Sequence, residues 1–502
     1  MSNLLYDSLF GCHIGDDKPF LIFADGRTIS YDAFLRMASR FGNTIKAAGL
    51  TAGDRLAVQV EKSAEALAVY AACVQSGVIF LPLNTAYQPA EVEYFISDSW
   101  ARMLIADDAE SLQSIAATHN VILHDMAVNG RGSFTNLATK ASDRFAPVPL
   151  NSDDLAAFLY TSGTTGRSKG AMLTQNNLLS NAQTLIEAWR FSEADVLLHA
   201  LPIFHTHGLF VATNIILLAR ASMIFLPKFD VDSVFAVLPQ ATSMMGVPTF
   251  YTRLLDDARL TADSTRHMRL FVSGSAPLLA ETHLQFSERT GQQILERYGM
   301  TETNMNTTNP YEGPRRAGTV GKPLAGGDLK ITDPETGATL EDGAIGQIEV
   351  RGPNVFVGYW NMPEKTREEL REDGFFITGD LGFIDDQGYV QIVGRNKDLI
   401  IAGGYNIYPK EIELILDDQP GVLESAVIGV PHADFGESVV GILVPDNSGL
   451  LDIDKITESV AASLAKFKQP RQLVVVDALP RNAMGKVQKN ILRETYGSAV
   501  SA

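Results

Sequence analysis

Residues 64–83 read AEALAVYAACVQSGVIFLPL, and this stretch decides the fold class. Ala64 to Gly77 is an apolar run of good helix formers that ends in glycine, the signature of a buried helix and its stop. Val78 to Leu83 then changes to a short β-rich run, which reads as a strand. The same alternation recurs downstream. DVLLHALPIF (195–204) and ASMIFLPKF (221–229) read as buried strands, and MRLFVSGSAPL (268–278) as a strand running into a glycine-containing turn. Strands alternating with helices over most of the first 400 residues predict an α/β fold with parallel sheets covered on both faces. The texture shifts near residue 340. IGQIEVRGPNVFVGYW (345–360) and GYVQIVGRNKDLIIAGGYNIYP (388–409) are short strands with glycine turns, expected to form a small antiparallel or barrel-like piece. PKEIELILDDQPGVLESAVIGVP (409–431) and SVVGILVP (438–445) then predict a compact α+β unit, with a boundary near GRNKD (394–398).

Composition narrows the function classes. The chain has 502 residues, 45% hydrophobic and 20% charged, within the range of ordinary globular proteins. Its formal charge of −18 disfavours nucleic acid or an anionic bilayer as a partner. Two cysteines, Cys12 and Cys73, show no metal-ligand spacing and fit a reducing compartment. The N-terminal stretch lacks the pattern of a targeting signal, and no apolar run approaches the ~20 residues of a membrane helix. A cytoplasmic protein is expected.

YTSGTTGRSKGAML (160–173) places small hydroxyl residues and glycines beside Arg167 and Lys169. Such a loop lets backbone N–H groups approach an anion closely, and the cations add donors; a polyphosphate needs both. Gly163 and Gly166 do not match the G-x-x-x-x-G-K-[ST] spacing of a P-loop, so another kind of phosphate loop is expected.

Five motifs in order extend this reading: YTSGTTGRSKG (160–170), RYGMTET (297–303), TGD (378–380), GRNKDLIIAGGYNIYPKEIE (394–413) and PRNAMGKVQK (480–489). Together they resemble the acyl-adenylate-forming superfamily of acyl-CoA synthetases, nonribosomal peptide adenylation domains and firefly luciferase, over nearly the whole chain. LPIFHTHGLF and ERYGMTETNMN are similar to the malonyl-CoA synthetase group within it. The resemblance implies a large N-terminal domain at 1–394, with doubly wound parallel sheets and a small barrel-like β subdomain. It also implies a hinge at 395–397 and a small mobile α+β C-terminal domain at 398–502.

The resemblance further implies roles for individual residues. Thr161, Ser162, Gly163, Thr164, Thr165, Gly166 and Lys169 would close over the β- and γ-phosphates of ATP. Tyr298 would stack on adenine, with Ser275, Ala276, Glu296, Gly299 and Met300 around the nucleotide. Glu302 would hold Mg²⁺ on the phosphates and Thr301 would contact a phosphate, as a hard cation bridging phosphates and a carboxylate requires. Asp380 would accept both ribose hydroxyls, with Arg395 beside it. Lys486 would meet the substrate carboxylate and the α-phosphate, where negative charge builds in the adenylation step. Lys397 would be the hinge, and Gly403, Gly404 and Tyr405 would line the path of coenzyme A.

Arg297 lines the acyl pocket by the same resemblance, where many members carry a neutral residue. A buried arginine needs an anionic partner, and a second carboxylate on the substrate would supply one bidentately. His207 would stand at the other wall, with Ser275 and Met300 also at the acid. His205 and His207 have no third ligand pattern that would suggest a metal instead. Malonate is therefore the expected acid. Methylmalonate stays open, because one methyl is worth only about 1–3 kcal/mol of discrimination. Ser275 is equally readable as part of a plain strand-to-helix turn. The alternatives are a short- or medium-chain monocarboxylate ligase, an adenylation protein serving a carrier protein, a luciferase-type oxygenase and a non-enzymatic adenylate binder. Monomer and homodimer are both compatible with the sequence.

Overall fold

The computed structural model describes residues 3–161, 168–402, 405–432, 436–446, 448–482 and 485–497. Ala64–Ser76 is a helix, with the Ser63 side chain accepting from the Ala66 N–H at its start and Gly77 at φ 75° closing it. Nearly all of its residues are buried. Tyr70 shows why. Its ring lies 5.5 Å from Phe80 in the next strand and 5.7 Å from Phe210, while its hydroxyl donates to Asn214 Oδ1. The helix is thus apolar all round because it is enclosed on opposite sides.

Two compact units divide the chain: Met1–Asp328 with Val350–Phe376, and Leu329–Glu349 with Ile377–Ala502. Among the described residues, the first unit holds two large sheets. One has six strands in the order Ile122–Asp125, Ala101–Ala106, Arg55–Gln59, Ile79–Pro82, Leu155–Thr161, Lys169–Thr174. Its strands run parallel up to the last pair, which is an antiparallel hairpin. The other has nine, with a parallel centre of Ile294–Met300, Leu270–Ser273, Ser243–Gly246, Val196–His199, Ser222–Phe225 and Pro19–Ile22. Antiparallel strands finish both edges, Asn304–Thr308 and Lys322–Pro323 at one and Thr28–Ser30 at the other. The expected parallel sheets are present, and the central strands are buried apolar runs because helices cover them.

In the second unit, strands Gly346–Arg351, Phe376–Ile384 and Val390–Arg395 follow Asp328–Thr332 in one small sheet, apart from end residues that belong to the first unit. A further sheet joins Tyr405–Ile407, Ile400–Ala402, Gly436–Pro445 and Val422–His432, with Gln472–Val475 added in parallel. Helices Pro409–Asp417 and Ile453–Ser463 pack on one face through Ile412, Leu416, Ile456 and Val460. Helix Lys489–Tyr496 covers the other through Leu492. The boundary expected at 394–398 lies inside this unit.

Gly77 tests the junction quoted at the outset. A Cβ there would lie 2.9 Å from Ala52 Cβ, in a left-handed backbone. Gly49 has the same backbone hand at φ 86°, with open space around it. Urea unfolding should therefore show Gly77→Ala losing about 2–4 kcal/mol, against about 1–2 kcal/mol for Gly49→Ala.

Candidate active site

The acyl side grows from strand register. Ser273 pairs with Glu296, which brings Gly274 next to Arg297. A Cβ on Gly274 would lie 2.6 Å from Arg297 Nε, so a side chain there would displace the guanidinium from this position. Arg297 is 3% exposed, and among the described residues its Nε and Nη2 have no hydrogen-bond partner. Burial pulls its pKa down to about 9, so it remains charged at neutral pH. Glu296 takes the opposite face of the strand and accepts from the Leu278 N–H. His207 opens a π-helical turn, His207–Thr213, with Nδ1 3.2 Å from Ser275 Oγ and a buried, unpartnered Nε2. Burial first, then the charge of Arg297, holds this imidazole neutral well below its usual range. Ser275 has φ 72°, a strained conformation for a residue with a Cβ, at the strand end where sequence alone allowed a plain turn.

Two residues that sequence reasoning missed support His207. His199 Nε2 lies 2.8 Å from the Gly208 carbonyl, and Lys62 Nζ lies 2.7 Å from His199 Nδ1 and 2.8 Å from its carbonyl. The Gly208 carbonyl can only accept, so the proton sits on Nε2, and Nδ1 of the neutral ring accepts from Lys62. Lys62 is 7% exposed and lies 4.3 Å from the Phe225 ring centroid; burial pushes its pKa far down. The Thr213 hydroxyl donates to the same Gly208 carbonyl, completing the hold on the π-helical turn. The signal available was a histidine within the apolar strand run VLLHAL; Lys62, flanked by Glu61 and Ser63 in VEKSAEAL, gave none.

The phosphate side is built from two hairpins. Thr161 pairs with Lys169, so these residues flank the candidate loop. Ser162, Gly163, Thr164, Thr165, Gly166 and Arg167 lie outside the described residues. Glu302 and half-buried Thr301 sit in the turn between Ile294–Met300 and Asn304–Thr308. Gly299 is required just before it, since a Cβ would lie 2.8 Å from the backbone carbonyl carbon of Asn304. Thr161 Oγ1 is 3.3 Å from Glu302 Oε1, which joins the two hairpins. Glu302 is 5% exposed, and burial raises its carboxyl pKa. Tyr298 is buried, while Met300, Ser275 and Ala276 are half-buried.

Tyr359 and Glu369 also belong here and were not foreseen. The Tyr359 hydroxyl is 3.0 Å from Glu302 Oε1 and 2.7 Å from Glu369 Oε2. Lys169, 8% exposed, lies 3.1 Å from both Glu369 oxygens and 4.1 Å from the Tyr359 ring centroid. Burial raises the Glu369 pKa, but Tyr359, Lys365 and Lys169 outweigh it and leave it lowered.

Among the described residues no three His, Cys, Asp or Glu groups combine to hold a metal. Glu302 by itself suits Mg²⁺. It is one buried carboxylate with hydroxyls beside it, and Mg²⁺ completes its shell with phosphate oxygens and water.

In the second unit, Asp380 pairs in register with Arg395, and Arg395 Nε lies 2.9 Å from Asp380 Oδ1. Lys397 lies in a helical turn, Asn396–Asp398, its pKa lowered by burial and by Arg395. Asp398 next to it accepts from Arg493 at 2.7 Å. Lys486 is exposed on a loop closed by its own N–H donating to Asn482 Oδ1 and by Arg481 donating to the Gly485 carbonyl. Gly403 and Gly404 lie outside the described residues, and the Tyr405 backbone pairs with Ala402.

His199 and His207 stay neutral in the fold, whereas in the unfolded chain each gains a proton near pH 6.5. The unfolded state therefore binds more protons below that pH, and stability falls as pH drops from 7 to 5. In urea titrations across this window, His199→Gln should flatten the slope by up to about 1.4 kcal/mol per pH unit, one proton's worth.

Comparison with known proteins places this site in a family. Residues 13–360 match the AMP-binding enzyme family, and residues 411–486 match the AMP-binding enzyme C-terminal domain. The malonate–CoA ligase of Arabidopsis thaliana is 35% identical over 524 residues, covering 94% of this chain and 86% of its own. The feruloyl-CoA synthase of an Amycolatopsis species is 33% identical over 478 residues, covering 94% and 95%. The crystal structure of ATP-bound MatB from Rhodopseudomonas palustris is 55% identical with a TM-score of 0.97, covering 99% of this chain and 100% of its own. A family match over residues 13–360 and a 35% identical relative covering 94% of the chain make this protein a member of the AMP-binding enzyme family.

Proposed function

We propose that this enzyme is an ATP-dependent malonate–CoA ligase. A malonate carboxylate oxygen attacks the α-phosphorus of ATP, pyrophosphate leaves, and malonyl-adenylate forms. The coenzyme A thiol then attacks the acyl carbon, AMP leaves, and the thiol proton is released. The observation that carries the choice of acid is Arg297, charged and buried with two nitrogens unpartnered, within electrostatic reach of His207. A dicarboxylate puts its second carboxylate on that guanidinium and offsets the desolvation of both charges. A monocarboxylate leaves Nε and Nη2 without an acceptor and only Glu296 and Tyr251 to offset the charge.

In this reading Tyr298, Ser275 and Ala276 receive the adenine, and Asp380 with Arg395 the ribose. Thr161, the 162–166 loop, Lys169 and Thr301 bind the phosphates, with Glu302 as the protein ligand for Mg²⁺. Once bound, Mg²⁺ neutralises phosphate charge and orients the leaving pyrophosphate. Lys486 brings the carboxylate and the α-phosphate together and stabilises the charge that develops between them. Lys397 is the hinge between the two half-reactions, and residues 403–405 face coenzyme A. No described helix is long and apolar enough to cross a membrane. A cytoplasmic setting is part of this reading, supported by the two cysteines without a disulfide pattern.

Coenzyme A-dependent AMP formation with malonate, methylmalonate, acetate, butyrate and succinate tests the acid. Wild type should prefer malonate, with methylmalonate about 10–200-fold behind. Arg297→Ala should lose about 10²–10³-fold in kcat/KM for malonate and change little for acetate, as expected when one member of a buried charge pair is removed. Equal turnover of monocarboxylates, with no selective effect of Arg297→Ala, would remove malonate from the proposal. Lys486→Ala should lower malonate-dependent ATP–pyrophosphate exchange by about 10²-fold or more while leaving thioester formation from supplied malonyl-adenylate largely intact. Equal losses in both steps would count against the role given to Lys486.

A further inference from the structure

The segment from Phe356 to Trp360 does more than link two strands. Its backbone lies along the strand that leaves the phosphate loop: Met172 N–H donates to Gly358 O, Val357 N–H to Met172 O, and Trp360 N–H to Gly170 O. Ala171 and Tyr359 form an antiparallel bridge there. The same segment holds the Glu302 turn, since Phe356 N–H donates to the Glu302 carbonyl at 2.7 Å. It therefore clasps two hairpins that belong to different sheets, one carrying Lys169 and the other Glu302.

We propose that Tyr359 and Glu369 are positioning residues for the nucleotide: Glu369 holds Lys169 at the mouth of the phosphate loop, and Tyr359 couples that lysine to Glu302. This rests on the phosphate and metal roles given above to Lys169 and Glu302. Lys169 has two restraints, the paired Glu369 oxygens and the face of the Tyr359 ring. Lys365 shares Glu369 at 3.0 Å, so the carboxylate keeps a cationic partner when Lys169 turns toward phosphate. The Tyr359 hydroxyl has one proton and faces two carboxylates. It can satisfy Glu369 or Glu302 but not both, which links the state of one to that of the other. A group that only stabilised the fold would need neither the lysine nor the Glu302 carboxylate at its tip.

The experiment is equilibrium titration of ATP into wild type, Glu369→Gln, Tyr359→Phe and the double variant, each in EDTA and in excess Mg²⁺, with a denaturation curve for each. Glu369→Gln should weaken ATP binding about tenfold in EDTA, where the lysine acts without metal. Tyr359→Phe removes one oxygen from a packed ring and should mainly shrink the gain in ATP affinity brought by Mg²⁺, by about threefold to tenfold. The double variant should lose less than the product of the single losses, because both act through one network. KM for malonate should stay within twofold in all three. Variants that fold and bind ATP as wild type does, with the full Mg²⁺ gain, would overturn the proposal, as would equal losses for ATP and malonate. A wild type that does not bind ATP would instead remove the nucleotide reading on which it stands.

Discussion

Burying a guanidinium is among the more expensive things a fold can do, and Arg297 sets the terms for everything on the acyl side of this site. Its charge survives burial, and two of its nitrogens lack hydrogen-bond partners among the described residues. In this position it occupies space that a side chain on Gly274 would take. Its neighbour Glu296 is turned to the other face of the strand by the two-residue repeat and is engaged there by the Leu278 N–H. His207 must then be neutral, because a second cation against the first would be repelled as well as desolvated. The Lys62–His199 pair follows from the same logic. It fixes the π-helical turn through the Gly208 carbonyl and sets the tautomer of His199, so His207 is aimed without a charge of its own.

The phosphate side is organised by connection rather than by a single costly group. Thr161 and Lys169 leave the six-stranded sheet, and Glu302 leaves the nine-stranded one. Among the described residues no regular strand pairing joins those sheets. What brings the two hairpins together is a short irregular segment whose backbone bonds to one and whose Phe356 N–H bonds to the other. This explains why Tyr359 and Glu369 meet Lys169 and Glu302 although nothing in their own stretch of sequence announces it.

Much of the fold was legible because its signals are local. The run from Ala64 to Gly77 forms a helix of its expected extent, and Gly77 adopts the left-handed stop that a glycine there announces. VIFLPL, DVLLHALPIF and MRLFVSGSAPL each contain a strand, because apolar β-prone runs bounded by Gly or Pro have few other options. Residues Arg297, His207 and Ser275 were legible through resemblance and do meet in space. Lys62, His199, Tyr359 and Glu369 were not. Lys62 and His199 are 137 positions apart, and Lys169 and Glu369 are 200 apart. Pairs so distant leave no periodicity or spacing to read.

Hydrophobic pattern and glycine placement were therefore enough for the α/β class and many of its elements, since each depends on neighbours within a few residues, while the nucleotide and the acid were legible through the resemblance that the short motifs carry. Strand order, the edge hairpins and the partners of every buried charge depended on the folded chain. A lysine or a glutamate carries the same local signature whether it ends in solvent or beneath an aromatic ring. Only packing decides which groups lose water together, and it is that shared loss of water that turns Lys62, Lys169 and Glu369 from ordinary surface-type residues into parts of a site.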